Sequence, residues 1–489
     1  MTIYINRIIL FFLLVFALQS CQKDDVTEET VVAVPEKNTE VQRFIWKAMN
    51  SYYLWQDNVP DLSDSRFNGE TGLNNFLKTA GTPEDFFQNL LYKPSSKYPT
   101  GAVDRFSYMI KDNSLTARSM GITTNSNGLA LGFGLKERGK NDVFGYVEYV
   151  VPNSNASTKN IKRGDFFDSV NGIKLTTDNY WNLLFGDNAN TYTINLLNGT
   201  SVELTKTALN ENPVFKHSVI ETENKKVAYL VYNQFVSDYD TELNAVFGEF
   251  KDAGVTDLVL DLRYNGGGAV QTAIYLASMI TGQFTGQVLL NNQYNKKAQA
   301  SFKKYYPENL YSKFTDIIKN DNGAQIPINS LKLKTLYVLT GYQTASASEL
   351  IINGLKPYIN VVQIGAKTVG KNTASIALYD SPDFSMTNRN NKHNYVLHPL
   401  VMKLSNKNNF GDYQEGILPT GVEKYEDPTI DLGNTNETLL SDALALITSS
   451  ARPAKHNVNK RPYELTNDKT IQPIHSEMYV DTPKGLKNQ

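Results

Sequence analysis

Leu336-Tyr337-Val338-Leu339-Thr340-Gly341-Tyr342-Gln343-Thr344-Ala345-Ser346-Ala347-Ser348-Glu349-Leu350 opens on an apolar run, passes through a turn of small and polar residues and closes on a helix start. An apolar run of this length suits a buried strand. The same alternation recurs on either side. Val227–Tyr232, Asp257–Asp261 and Val361–Ile364 are candidate strands, and 240–253, 269–281 and 346–355 are candidate helices. Strand and helix in alternation predict an α/β core.

At 489 residues the chain exceeds one ordinary core, and a prior of roughly 100–200 residues per domain suggests about three units. The predicted fold is multidomain α/β: a helical amino-terminal domain over 39–121, a small strand-rich domain over 122–210, the α/β core over 211–449 and a polar segment over 450–489. In the first, Phe44, Ile45, Ala48, Met49, Tyr52 and Tyr53 recur at helical spacing. Thr82-Pro83-Glu84-Asp85 carries the cap, first-turn proline and acids of a second helix start. The cluster Tyr52, Tyr53 and Trp55 could be a ligand box, but its spacing suits core. In the second domain, Leu129–Leu135, Gly145–Val151 and Tyr192–Leu197 are short apolar runs between turn residues.

Charge and cysteine usage exclude several classes. Lys plus Arg number 48 against 50 Asp plus Glu, leaving no global field to hold nucleic acid. The single Cys excludes intrachain disulfides and cysteine-rich zinc sites. That Cys ends a leader: Arg7 precedes an apolar run of 11 residues, Ile8–Leu18, too short to span a bilayer at ~20, which reads as a secretory signal over 1–20. Leu18-Gln19-Ser20-Cys21 resembles the bacterial lipobox, with Gln19 a looser fit, and implies acylation of Cys21. The alternative is a plain signal with an incidental Cys. Residues 21–38 read as an acidic tether. Gln22-Lys23-Asp24-Asp25 is similar to surface-export tags on lipoproteins of the Bacteroidetes, so the expected place is the outer membrane, on its surface or periplasmic face.

Three segments carry chemistry. Ser346 stands at a predicted helix amino terminus, where free N–H groups favour a developing oxyanion; taken alone, the serines could simply cap the helix. Gly365-Ala366-Lys367-Thr368-Val369-Gly370-Lys371-Asn372 places Lys371 after an apolar strand. A lysine acts as a base near neutral pH only when its surroundings depress its pKa. This segment nearly matches a nucleotide-binding loop, but Asn372 replaces the metal-holding hydroxyl and Thr373–Leu378 is a poor helix. Leu258-Val259-Leu260-Asp261-Leu262-Arg263-Tyr264-Asn265-Gly266-Gly267-Gly268 ends a strand on three glycines whose N–H groups can face a substrate. It lacks the Gly-x-Gly-x-x-Gly spacing of a dinucleotide site.

Together these segments resemble the carboxyl-terminal processing, or tail-specific, protease family. That family has Asp-Leu-Arg-x-Asn-x-Gly-Gly, then Ser-Ala-Ser-Ala-Ser-Glu, then Gly-Lys, its base 25 residues after the nucleophile. Here that interval runs from Ser346 to Lys371. The resemblance implies Ser346 as nucleophile, Lys371 as general base and Gly266, Gly267 and Ala347 as oxyanion donors, with no metal or cofactor. Thr344 replaces the first serine of the middle motif, Lys356-Pro357 stands where some members carry an Asp, and Glu349 is retained. Leu131-Gly132-Phe133 looks like a PDZ carboxylate-binding loop, with Ala130 where glycine is common. Arg163-Gly164-Asp165-Phe166 and Val170-Asn171-Gly172 are similar to the PDZ segment of these proteases. Polypeptides captured by their free C-termini are the implied partners, beside a lipid bilayer and no nucleic acid. The alternative is a catalytically silent peptide-binding lipoprotein. Of His217, His393, His398, His456 and His475, none has metalloprotease spacing; a Ser-His pairing would need His393 or His398 to reach Ser346.

Overall fold

Five strands form the central sheet, in the spatial order Val214–Glu221, Lys226–Tyr232, Asp257–Asp261, Thr335–Thr340 and Asn360–Gly365. The first pair is antiparallel and the other three pairings are parallel. The computed structural model describes residues 39–98, 100–111, 124–137, 139–186, 188–222, 224–319, 323–448, 478–481, 483 and 485–486. The expected signal, Cys21, tether, His456, His475 and most of the polar tail lie outside them.

Successive side chains of a strand point to opposite faces, so each strand serves two cores. Ala228, Leu230 and Tyr232 join Leu258, Leu260, Leu336 and Val338 beneath the helices Asp240–Asp252, Val270–Thr281 and Ala347–Leu355. Val227, Tyr229 and Val231 join Val259, Leu339 and Ile364 on the other face, under the helix Thr438–Thr448. Double coverage explains the unbroken apolar runs. The expected strands and helices of the core appear with ends moved by a residue or so.

A second sheet, of six strands, runs Gly268–Ala269, Met478–Tyr479, Thr373–Ser375, Leu400–Asn406, Val288–Tyr294 and Tyr311–Lys313. It takes the chain immediately after Lys371 into a strand, not the helix a nucleotide loop requires. The amino-terminal helices Glu40–Tyr52, Gly69–Lys78 and Pro83–Asn89 pack with the core; Thr82 Oγ1 accepts the Asp85 N–H at 3.1 Å as a cap. Tyr52 and Tyr53 are buried core residues. Beyond the helices, Tyr108–Lys111 pairs antiparallel with Tyr395–His398, so the amino-terminal segment is stitched into the core. From Glu40 onward the chain is one compact unit.

The third large sheet runs Leu129–Leu135, Val143–Val150, Phe166–Val170, Thr191–Leu196 and Ser201–Thr205, with Ile173–Lys174 paired to Phe166–Val170. Its own core includes Val143, Val147, Phe167, Leu184, Ile194 and Leu204. Leu129–Leu135 ends the row and leaves one edge unpaired among the described residues. Leu131, Gly132 and Phe133 lie within this strand and not in a loop, because they pair with Val147, Tyr146 and Gly145. Gly132 is required there: a Cβ would lie 2.2 Å from the Tyr146 ring.

Candidate active site

Ser346 is the last residue before the helix Ala347–Leu355, with φ 67° and ψ −117°. L-residues rarely adopt that combination, and holding it costs on the order of 1–3 kcal/mol. The surrounding bonds over-determine it. Ala345 N–H donates to Asn265 O at 3.1 Å, Thr344 Oγ1 to Leu262 O at 2.7 Å and Ser348 Oγ to Asn265 O at 3.1 Å. The glycine turn after Asp257–Asp261 is thereby bound to the turn before Ser346.

Among the expected oxyanion donors, Gly266 and Ala347 N–H have no acceptor among the described residues. Gly267 N–H is donated to Asn265 Oδ1 at 2.8 Å, while Asn265 Nδ2 donates to Tyr232 O at 2.7 Å. Gly267 is therefore engaged, a state that only side-chain placement could disclose.

Glu349 organises the site. Its Oε2 accepts the Ser346 N–H at 2.7 Å and the Lys371 N–H at 2.8 Å; its Oε1 accepts Thr368 Oγ1 at 2.5 Å and the Gly370 N–H at 2.7 Å. One carboxylate oxygen thus serves the backbones of both Ser346 and Lys371. Complete burial pushes the Glu349 pKa up to about 7 against the opposing pull of those four donors.

Lys371 is 1% exposed. Gly370 before it has φ 91°, and a Cβ there would lie 2.1 Å from Gln414 O, so only glycine lets the segment pass. Arg105 Nη2 donates to Gly370 O at 2.8 Å and to Gln414 O at 3.0 Å. Lys371 Nζ sits 4.8 Å from the Phe106 ring centroid. Ser346 Oγ is fully buried and has no hydrogen-bond partner, so Lys371 Nζ does not hydrogen-bond it here.

The histidines go elsewhere. His398 stacks on Tyr108 with ring centroids 4.5 Å apart, and burial, with the nearby Lys371 charge, pushes its pKa down to about 3. His393 pairs with Asp380 at 3.1 Å and His217 with Glu249 at 3.1 Å. Among the described residues no cluster of three metal-ligating side chains occurs, and no helix is long and apolar enough to cross a membrane. Lys356 lies at the far end of the Ser346 helix, lining a cavity of about 560 Å³ with Phe284, Lys334 and Tyr358.

Arg163 is buried. It donates to Glu148 O at 2.6 Å, Ile430 O at 2.8 Å and Glu426 at 2.7 Å, tying the third sheet to the core. Arg105, Phe106 and Glu148 carried no motif signal, and Asn265 stood in the glycine motif without an assigned role; their roles depend on contacts across the chain.

The residues that match known families bracket the same geometry. Residues 226–386 match peptidase family S41, and residues 40–108 match the peptidase S41 N-terminal domain. A carboxyl-terminal-processing protease of Picosynechococcus is 27% identical over 227 residues, 46% of each chain. A CtpA-like serine protease candidate of Staphylococcus aureus is 26% identical over 245 residues, 49% of this chain and 44% of its own. The chain thus spans about half the length of the curated relatives it matches. The crystal structure of a candidate S41 protease from Bacteroides fragilis superposes with a TM-score of 0.60 at 27% identity, covering 84% of this chain and 98% of that one. Fold and matches together define an α/β peptidase scaffold. Residues 226–386 and 40–108 of that scaffold are the parts similar to peptidase family S41 and its N-terminal domain.

Proposed function

We propose that this chain is a serine endopeptidase of the carboxyl-terminal processing type, with Ser346 as nucleophile and Lys371 as general base. The observation that carries the reading is Glu349, whose single oxygen Oε2 accepts the N–H groups of both residues. A shared anchor keeps the nucleophile turn and the base segment in fixed relation, which general-base catalysis needs.

In the cycle, neutral Lys371 takes the Ser346 proton as Oγ attacks a peptide carbonyl. Gly266 and Ala347 N–H groups hold the oxyanion, joined by Gly267 once Asn265 Oδ1 lets it go. Lys371 returns the proton to the departing amine, and water clears the acyl-enzyme. No metal or cofactor enters the scheme. The substrate is a polypeptide that adds as a strand along the open edge of Leu129–Leu135, its C-terminus held near Leu131, Gly132 and Phe133. Acylated Cys21 anchors the protein to the outer membrane, several chains together giving stable attachment.

A second reading is supported by one observation: Ser346 Oγ has no partner. A peptide-binding protein without turnover would have that geometry, and so would a protease at rest. Unfolded protein substrates decide between them. Wild-type cleavage, with Ser346→Ala and Lys371→Ala each reduced at least about 10³-fold, is expected. Full activity in either variant removes the dyad, and a wild type that binds tails without forming product establishes the silent alternative. In the same cells, Cys21→Ser is expected to move the protein from the membrane to the soluble fraction; unchanged fractionation removes the anchor.

A further inference from the structure

Phe106 and Arg105 come from the amino-terminal segment, yet both meet the base. Lys371 Nζ lies 4.8 Å from the Phe106 centroid, inside the range of about 6 Å at which an aromatic face attracts a cation. Arg105 holds the carbonyl of the preceding residue, Gly370. The turn that presents them is firmly built. Buried Asp104 accepts the Phe106 and Ser107 N–H groups at 3.1 and 2.9 Å and the Tyr53 hydroxyl at 2.7 Å. Tyr53 OH in turn accepts the Tyr92 N–H at 2.8 Å, and Ser107 Oγ accepts the Leu400 N–H at 2.9 Å. Helix Glu40–Tyr52, the segment after Pro83–Asn89 and the core strand Leu400–Asn406 therefore all fix where Phe106 stands.

We infer that the amino-terminal domain completes the base site, with Phe106 as a positioning residue that holds the Lys371 ammonium while it carries the proton taken from Ser346. The inference rests on the Ser346–Lys371 reading. The proton leaves Oγ as the Oγ–carbon bond forms, resides on Nζ, and passes to the amine nitrogen as the carbon–nitrogen bond breaks. Phe106 gains nothing from neutral Lys371 and attracts only the ammonium, so its effect falls on turnover more than on substrate binding. Glu349, His398 and Arg105, each close to the Lys371 segment, serve other ends. Glu349 already accepts four donors, including the Lys371 N–H. His398 is neutral at working pH, and Arg105 is a cation.

The test compares Phe106→Leu, Phe106→Tyr and Arg105→Met with wild type in peptide hydrolysis across pH, each checked by thermal melting. Phe106→Leu is expected to lower the plateau kcat roughly 2- to 30-fold with KM within about twofold. It should also move the acidic limb of the profile down by roughly 0.4 to 1.5 pH units, since the ammonium loses its ring. Phe106→Tyr restores both, and Arg105→Met lowers kcat through displacement of Gly370. If Phe106→Leu does not fold, the Arg105→Met result decides. An unchanged plateau and limb in Phe106→Leu, or unchanged kcat in Arg105→Met where that variant decides, overturns the inference and leaves the dyad standing. Activity surviving in Lys371→Ala overturns the dyad itself.

Discussion

Glu349 has the chemistry of a joint. Its two oxygens accept four hydrogen bonds from three backbone N–H groups and one hydroxyl, all buried. A glutamine there offers one acceptor oxygen and turns an NH₂ group either toward the Ser346 and Lys371 N–H groups or toward the Thr368 hydroxyl and the Gly370 N–H. Each buried donor left unsatisfied costs about 1–3 kcal/mol. Glu349→Gln is therefore expected to lose roughly 2–4 kcal/mol of stability in urea unfolding and at least about tenfold in kcat, because Ser346 and Lys371 lose their common anchor. The pH dependence has a definite sign. Burial raises the Glu349 pKa from 4.5 to about 7, so the folded state favours the acid more than the unfolded state does. Its contribution is present below about 4.5 and lost as pH rises through about 7, and Glu349→Gln lacks that slope. Unchanged stability and kcat in the variant would reduce Glu349 to a helix-end residue.

At the scale of elements, the turn before Ser346 is held from two sides. The glycine turn grips it through Asn265, while strand Val143–Val150 of the third sheet reaches it through Glu148. Glu148 Oε1 accepts Gln343 Nε2 at 2.7 Å and the Tyr342 hydroxyl at 3.2 Å. Burial pushes the Glu148 pKa up to about 8, with the Glu426 charge adding to it. Its stabilising contribution is thus complete below about 4.5 and lost as pH rises through about 8. Glu148→Gln keeps an acceptor for Gln343 without a charge to bury. Its advantage in unfolding free energy over wild type is expected to grow across that window by up to about 5 kcal/mol and then level off. A pH-independent difference would show that Glu148 does not titrate there. The strand carrying Glu148 pairs with Leu129–Leu135, so the proposed peptide edge lies one strand away from the residue that holds the nucleophile turn.

Over the whole molecule, buried charge joins the third sheet to the core. Arg263 pairs with Asp261 at 2.8 Å, Glu437 at 2.9 Å and Glu426 at 3.2 Å, while Arg163 brings the third sheet to the same Glu426. The Tyr264 hydroxyl also donates to Glu426. Gly164 lets the sheet approach: a Cβ there would lie 2.6 Å from Pro428 O. Removing one partner of a buried pair leaves the other uncompensated, typically at about 3–5 kcal/mol. Here Arg263 remains beside Glu426, so Arg163→Met is expected to cost about 2–3 kcal/mol. The loss should be read in hydrogen exchange, as lower protection of the strands over 129–205 with the central sheet little changed. Equal loss in both sheets would mean that Arg163 stabilises the molecule generally.

What sequence determined by itself is local. Alternation of apolar runs with amphipathic stretches predicted core strands at Val227–Tyr232, Asp257–Asp261, Leu336–Leu339 and Val361–Ile364, each within a residue of the observed ends, because double burial demands continuous apolar side chains. Spacing and motif order singled out Ser346, Lys371 and the glycines, since strand ends and helix starts are local features. Tertiary structure alone decided what those residues touch. Leu131–Phe133 became part of a strand because a partner strand was present to pair with it. Gly267 was engaged by Asn265, and Arg163 was drawn to Glu426 across 263 residues. Phe106 met Lys371 from the far end of the chain. Hydrogen bonds and ring contacts act over a few ångströms whatever the chain separation, so no local pattern records them. The base site is the clearest case: spacing picked out Lys371, and only folding brought Phe106 and Arg105 to it.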